Sequence, residues 1–459
     1  MKKIGYTLAT ALLLAGSLTS CDKKLDIDPV NSVRDDLALR TSSDVEAALV
    51  GSYTGIQNSE AYGGYIQLMS DLLADDREVT FVGTFVPPIQ INRKTIIRDN
   101  GFVQAIWVNA YSVINRANNV LANIDKLDTP AKRTRIEGEA KFIRSAMYFE
   151  LVRLYAKDWA DGNPSSNLGV PLVLAPTRIL DAASQVRRNT VAEVYAQVIA
   201  DLIDAEAKMP VNSPAAAFFA NKYAAATMLA RVYLQQGRFA DAGAAANRVI
   251  SANKYTLNPS YSDEFYSGSA AGLLPNSPED IFAIQISAQS GTNELNTFYS
   301  IDRRGDVSVE DKHLDQYEPA DERGKLFTKS GGQTYSNKYD DLYGNVKLMR
   351  VAEMYLVRAE ANFRAGTSLG ATPLADINRV RTRAGLAPLT VVTLPAILRE
   401  RKLELAFEGF RLGDVKRNRE TISGPDGKPL AWNSSRLVFP IPLREINVNP
   451  NLVQNEGYN

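Results

Sequence analysis

The sequence predicts an all-α protein that forms one large domain of paired helices with long irregular loops. Of its 459 residues, 45% are apolar and 23% are charged, which is typical of an ordinary folded protein. Apolar residues recur at helical spacing through most of the chain. Two later segments, residues 221–251 and 351–383, each have the pattern of two helices joined at a glycine. The length by itself also allows two or three domains.

The first helices are predicted from apolar spacing and from residues that begin or end a helix. The first one begins with Ser and Asp, and it places Val45, Leu49 and Tyr53 on one face. Pro130 precedes another helix and suits its first turn. These helices are expected at residues 43–55, 102–127, 131–157 and 190–208.

The two later segments share a pattern of small residues. Ala230 precedes Gly237 in the first segment, and Ala359 precedes Gly366 in the second. Small residues let paired helices approach closely, and Gly readily ends a helix. This pattern is typical of tetratricopeptide repeats, helix–turn–helix units of about 34 residues. We therefore expect TPR-like helix pairs, although two unrelated helical hairpins are the alternative.

Two regions lack a helical pattern and are expected to be irregular. Residues 81–100 contain Pro87-Pro88 and alternating Ile89 and Ile91, which predict a loop and a short strand. Residues 255–345 are rich in Gly, Ser, Pro, Asn and Tyr, with one strand-like run at 281–284. Long non-helical segments of this kind often carry the functional residues of a protein.

The N-terminus has the pattern of a targeting segment. Met1-Lys2-Lys3 is basic, an apolar run extends from about residue 8 to 18, and Cys21 follows small residues. This pattern looks like a bacterial lipobox, so we expect a signal peptide at residues 1–20 and lipidation of Cys21. Residues 21–40 would be a lipidated tether, and residues 41–459 would be the single domain. The alternative is an ordinary signal peptide with a chance Cys. No later run is long enough to predict a transmembrane helix.

The composition argues against several classes of function. Lys and Arg together number 52, as do Asp and Glu, so a basic excess for binding nucleic acid is lacking. One His and one Cys exclude Cys/His zinc sites and make catalysis with a His base unlikely. Gly-rich phosphate loops are also absent from the sequence. We expect no cofactor and no metal.

Several blocks, in order along nearly the whole chain, resemble the SusD/RagB family of Bacteroidetes lipoproteins. The specific ones are RERKLELAFEGFR at residues 399–411, FPIP at 439–442 and NPNLVQN at 449–455. The resemblance implies a non-enzymatic lipoprotein of the outer membrane that faces the cell exterior. Such a protein captures an oligosaccharide, or sometimes a peptide, and delivers it to a SusC-like TonB-dependent transporter.

The resemblance also implies that the irregular segments, at about residues 62–100 and 255–345, form the ligand face. Asp71 and Arg77 are candidates because carboxylates and guanidinium groups hydrogen-bond well to sugar hydroxyls. Phe85, Tyr299 and Tyr335 are candidates because an aromatic ring can stack on a sugar ring. The alternatives for these residues are helix capping, ion pairing and partly buried packing.

Other functions stay open at this stage. Paired carboxylates are also used in glycoside hydrolysis, so an all-α glycoside hydrolase is one alternative. A TPR scaffold that binds only protein is another. His313 is expected at the surface. Glu400, Glu404 and Glu408 recur every four residues, and we expect them to form ion pairs along their helix.

Overall fold

We describe a computed structural model of the protein, which covers residues 39–178, 181–212, 219–265, 276–424 and 426–458. The expected signal peptide, the lipidation site Cys21 and most of the expected tether lie outside the described residues. Within these ranges, no helix combines the length and the apolar character needed to cross a membrane.

The architecture consists of paired helices, as the sequence predicts. Two helices occupy each of the two TPR-like segments, Lys222–Gln235 with Phe239–Ser251 and Val351–Ala365 with Pro373–Arg383. Small loops and sheets connect the remaining helices. The helices of the first half are α1 (Ser42–Gln57), α2 (Tyr65–Leu73), α3 (Val86–Asn92), α4 (Gly101–Leu121), α5 (Pro130–Tyr155) and α6 (Val191–Lys208). Those of the second half are α7 (Lys222–Gln235), α8 (Phe239–Ser251), α9 (Glu294–Tyr299), α10 (Asp311–Leu314), α11 (Val351–Ala365), α12 (Pro373–Arg383), α13 (Leu394–Glu404), α14 (Arg411–Arg417) and α15 (Leu443–Val448).

Local sequence explains where these helices begin and end. Thr41 caps α1 by accepting from the Asp44 N–H, and the Asp44 carboxylate accepts from the Thr41 N–H at 2.8 Å. This reciprocal pair satisfies two N–H groups that a helix start otherwise leaves free. Thr129 caps α5, with Pro130 in its first turn. Gly366 ends α11 in the left-handed conformation, with φ of 66°.

Small residues line the contact between the TPR-like pairs. Helix α8 packs against both α7 and α11. Ala230 and Ala359 are fully buried. A Cβ added to Gly243 of α8 would lie 3.2 Å from Cβ of Ala361 in α11, so these helices approach closely. The predicted fold class is thereby confirmed.

The strands form small two-stranded antiparallel sheets. The sheets described here pair β1 (Val79–Phe81) with β3 (Val307–Val309), β2 (Asp280–Ile284) with β6 (Val346–Arg350), β4 (Phe327–Ser330) with β5 (Gln333–Ser336), and β7 (Ile422–Ser423) with β8 (Pro429–Leu430). The predicted strand at 281–284 is therefore confirmed.

The short strand expected from Ile89 and Ile91 is wrong. These residues lie in helix α3, where Pro87 and Pro88 occupy the first turn. Proline is tolerated there because the first N–H groups of a helix have no intrahelical partner.

The three regularly spaced glutamates do form ion pairs, but with partners on other elements, and Glu408 lies beyond the end of α13. Arg350, at the end of β6, donates to both carboxylate oxygens of Glu408, at 2.9 and 2.8 Å, and to Glu404 at 3.1 Å. Arg323 pairs with Glu400, and Arg383 pairs with Glu404. These groups are buried. The network joins the irregular region of the chain to the C-terminal helices.

Candidate functional site

The two segments expected to be irregular also contain helices, α2 and α3 in the first and α9 and α10 in the second, so that expectation is only partly right. These irregular segments meet at the short sheet formed by β1 and β3. Val79 pairs with Val309, and Phe81 pairs with Val307. Beyond the sheet, the Val82 N–H donates to the Asp306 carbonyl at 2.7 Å. We call the surface around this sheet, from Arg77 to Phe85 and from Arg304 to Tyr335, the loop face.

One end of the loop face carries an aromatic ring and a guanidinium group. Phe85 is 40% exposed. The Arg304 guanidinium carbon lies 4.1 Å from the centroid of the Phe85 ring, which is a cation–π geometry. Arg304 also donates to Asp306 at 2.7 Å. The carboxylate therefore holds the guanidinium over one face of the ring.

Tyr335 stands beside the same turn of the chain. Its half-buried ring packs on Gly305, where an added Cβ would lie 2.9 Å from the Tyr335 ring. Its hydroxyl donates to the Gln333 side chain at 2.8 Å. Phe85 and Tyr335 therefore flank the Arg304–Gly305 turn, although they come from different segments of the chain.

Arg77 lies at the other end of β1. It is exposed and has a φ of 61°, an uncommon conformation for a residue other than Gly. Its N–H donates to Asp75 at 3.0 Å. Its guanidinium group packs against Gly427 in the β7–β8 hairpin. A Cβ added to Gly427 would lie only 2.1 Å from Nη2 of Arg77. The structure therefore separates Arg77 from Phe85 and Tyr335 by the length of β1.

Asp71 is buried, and it is one of the residues that line the pocket beside His313 described below. Its carboxylate accepts from the N–H groups of Gly409 and Arg411, at 2.9 and 3.3 Å. Burial raises the pKa of Asp71 to about 7. In this structure the side chain holds the turn that precedes α14, which is the capping role named above as the alternative.

Tyr299 is also buried, with no exposed surface. Its ring contacts those of Tyr339 and Phe407, at centroid distances of 5.6 and 5.4 Å. Burial raises the pKa of its hydroxyl well above the usual value of 10. The expected stacking role does not fit this position, because no face of the ring is open to a sugar.

A pocket of about 510 Å³ opens at the Arg77 end of the loop face. His313 lines it and is buried, so the prediction that His313 lies at the surface is wrong. His313 Nδ1 is 2.9 Å from Glu78, and its Nε2 is 3.0 Å from the Tyr317 hydroxyl. Since an ionised carboxylate only accepts, Nδ1 donates to Glu78 and Nε2 accepts from Tyr317.

Burial and neighbouring groups shift the pKa values of His313 and Glu78 in this pocket. Burial lowers the pKa of His313, although Glu78 opposes the shift. Burial tends to raise the pKa of Glu78, but the hydrogen bond from His313 and the charge of Lys402 lower it to about 2. The pocket also contains Phe407, which has a φ of 65°. Strained residues often cluster where a protein binds a ligand.

Sequence reasoning missed Arg304 and Asp306. The adjacent residues Arg303 and Arg304, followed by Gly305, were a signal within the irregular segment. Nothing in the sequence by itself pairs them with Phe85, because that contact depends on the alignment of β1 with β3.

Family comparisons cover most of the chain. Residues 323–458 match the family model described as the SusD family. Residues 32–234 match a second model, described as "Starch-binding associating with outer membrane". The chain belongs to the SusD/RagB family. Arg304 and Asp306 lie between these two matched segments, whereas Arg77, Phe85 and Tyr335 lie inside them.

Relatives of this SusD/RagB chain are found among Bacteroidetes proteins. SusD-like protein P2 of Formosa agariphila is 28% identical over 100% of both chains. The starch-binding protein SusD of Bacteroides thetaiotaomicron is 36% identical over 25% of this chain and 22% of its own length.

Solved structures share the fold. A protein of Bacteroides vulgatus with a proposed sugar-binding role has 27% identity and a TM-score of 0.82, covering 92% of this chain and 100% of its own. The surface glycan-binding protein A of Bacteroides uniformis has 21% identity and a TM-score of 0.75, covering 90% and 99%.

Proposed function

We propose that this protein captures an oligosaccharide at the loop face and delivers it to a SusC-like TonB-dependent transporter of the outer membrane. The observation that carries the proposal is the position of Phe85 and Tyr335 on either side of the Arg304–Gly305 turn. Aromatic rings beside exposed hydrogen-bonding groups suit a sugar, which has both apolar ring faces and hydroxyls. The names of the relatives support a glycan rather than a peptide as the ligand.

The proposed ligand contacts follow from exposure. Phe85 and Tyr335 would stack on sugar rings, Arg304 would donate to hydroxyls near Phe85, and Arg77 would donate at the far end of β1. Asp71 would act indirectly, by holding the turn beside the pocket. Arg304 lies in the stretch that neither family model matches, so it is a candidate for determining which glycan is bound.

The proposed location is the outer surface of the outer membrane. Cys21 would carry the lipid anchor, and residues 21–40 would form the tether. The description of one matching family supports an association with the outer membrane. Lipid chains attached at one residue can hold a protein at a membrane without a transmembrane helix.

Calorimetry on the full chain in detergent tests the binding site against a panel of neutral oligosaccharides and peptides. We expect an oligosaccharide to bind without being cleaved. Phe85→Ala and Tyr335→Ala should each weaken binding by about 0.5–1.5 kcal/mol, by analogy with aromatic pairs, which is up to roughly tenfold. Tyr299→Phe is the matched control and should bind as the wild type does, because its ring is buried.

Three results would contradict the proposal. Unchanged binding by both alanine variants would place the site elsewhere. Formation of cleaved product during the titration would favour the glycoside hydrolase. Binding to the transporter without any soluble ligand would favour a TPR scaffold.

A further inference from the structure

A second cavity lies beside the Gly409–Phe410 turn and shares Arg401, Phe410 and Asp414 with the pocket beside His313. It encloses about 540 Å³ of empty space, part of which is open to solvent. Residues from α2, α5, α7, α13 and α14 line it, together with Tyr62, Leu348 and the turn at residues 408–410.

Two buried polar side chains of this cavity are only partly satisfied. Gln67 is 4% exposed and Arg401 is 3% exposed. Gln67 Nε2 donates to the Tyr62 carbonyl, but its Oε1 has no partner among the described residues. Arg401 Nε donates to Asp414, but its Nη1 likewise lacks a described partner. Unsatisfied buried polar atoms are costly, so a bound molecule that pairs with them is favoured.

The charges around Arg401 leave a positive excess. Arg401 and Arg417 both pair with Asp414, and Arg417 and Arg364 both pair with Glu360. Among the described residues of this group, three guanidinium groups share two carboxylates. The cavity therefore favours an anion at Arg401 over a neutral acceptor.

The other carboxylates that line the cavity are already paired. Glu150 pairs with Arg153, and Glu408 pairs with Lys338 and Arg350. Neither leaves an uncompensated negative charge that would repel an anion near Arg401. The remaining requirement is a hydrogen-bond donor for Gln67 Oε1, which a hydroxyl group supplies.

We propose that this cavity binds a small hydroxycarboxylate of monosaccharide size, such as a hexuronate. The carboxylate accepts from Arg401 Nη1, and a hydroxyl donates to Gln67 Oε1. None of the residues that line this cavity belongs to the loop face as defined above, and its occupant is a free acidic sugar rather than a polymer.

Calorimetry with sodium D-glucuronate on the full chain tests the proposal. D-glucose is the matched probe, since it has a hydroxymethyl group in place of the carboxylate. We expect glucuronate to bind at least tenfold more tightly than glucose. Gln67→Met preserves the size of the side chain and should weaken glucuronate binding about three- to tenfold. Gln67→Glu adds a negative charge and should weaken it further.

Control variants separate this site from the loop face. Gln57→Met removes another amide, in a different part of the fold, whose nitrogen has no partner among the residues that the structure describes, and it should bind glucuronate as the wild type does. Phe85→Ala should also leave glucuronate binding unchanged. The proposal fails when glucuronate does not bind, when glucose binds equally well, or when a folded Gln67→Met protein binds as the wild type does. None of these results bears on oligosaccharide binding at the loop face.

Discussion

At the scale of single residues, Glu78 links three parts of the fold. It precedes β1, and its carboxylate pairs with His313 of α10 and with Lys402 of α13. These contacts keep the carboxylate ionised at a pH where an ordinary glutamate is protonated, since its pKa falls from 4.5 to about 2. The side chain therefore stabilises the folded state in a pH-dependent way.

We predict that Glu78→Gln destabilises the protein at neutral pH and hardly at all in strong acid. Because the folded pKa lies below the unfolded one, the stabilisation is present above about pH 4.5 and disappears as the pH falls towards 2. The shift corresponds to about 3 kcal/mol in the free energy of unfolding. Urea unfolding of both proteins at several pH values measures it.

The control for this prediction is Glu322→Gln, which removes an exposed pair with Lys325. Exposed pairs contribute about 0–1 kcal/mol, so this variant should stay close to the wild type. A wild-type-like stability of Glu78→Gln at neutral pH would contradict the role assigned to Glu78.

The exposure of the predicted site residues shows how far a sequence can predict a binding site. Residue type and position in an irregular segment were enough to select Phe85 and Tyr335, which have exposed surface. The same criteria also selected Tyr299 and Asp71, which are buried. Exposure depends on contacts from distant parts of the chain, such as Phe407 against Tyr299, and an irregular segment has no periodicity that would predict them.

At the scale of elements, close helix contacts explain the small residues of the TPR-like pairs. Ala359 of α11 is fully buried, and α11 packs tightly on α8 through Gly243. Helical periodicity made these elements predictable. Helix α3 was missed because Pro87 and Pro88 suggest a break in a sequence, although both residues are compatible with a first turn.

We predict that Ala359→Leu lowers the free energy of unfolding by about 1–3 kcal/mol, because the larger side chain overpacks the helix contact. Ala240→Leu is the control, since Ala240 is exposed on α8 and has room for a larger side chain. Thermal unfolding of both variants measures the difference. Equal melting temperatures of the two variants would mean that the helix contact at Ala359 can accommodate a larger side chain.

At the scale of the whole molecule, a buried network of ion pairs connects the irregular region to the C-terminal helices. Arg350 contacts Glu279, Glu404 and Glu408, which come from both sides of this junction. The regular spacing of the glutamates predicted ion pairing, but the partners were wrong. Partners on other elements cannot be read from the spacing along one helix.

We predict that Arg350→Met destabilises the protein by about 3–5 kcal/mol, because three buried carboxylates lose a shared cation and keep only their remaining partners, among them Lys338 and Arg383. The control is Arg248→Met. Arg248 makes a bidentate ion pair with Glu206 at the surface of the protein. That control should cost about 0–1 kcal/mol. Guanidinium chloride unfolding compares the two, and similar losses would show that the buried network contributes no more than a surface pair.

The β1–β3 sheet has a consequence for how the protein folds. Glu78 and His313, which meet beside this sheet, are 235 residues apart in the chain. Contacts between such distant residues form slowly, because a long loop must close before they are made. The TPR-like pairs rest on local contacts and can form first. An oligosaccharide that binds across the loop face would then bind only to molecules in which these long-range contacts have formed, which is the slowest step of folding.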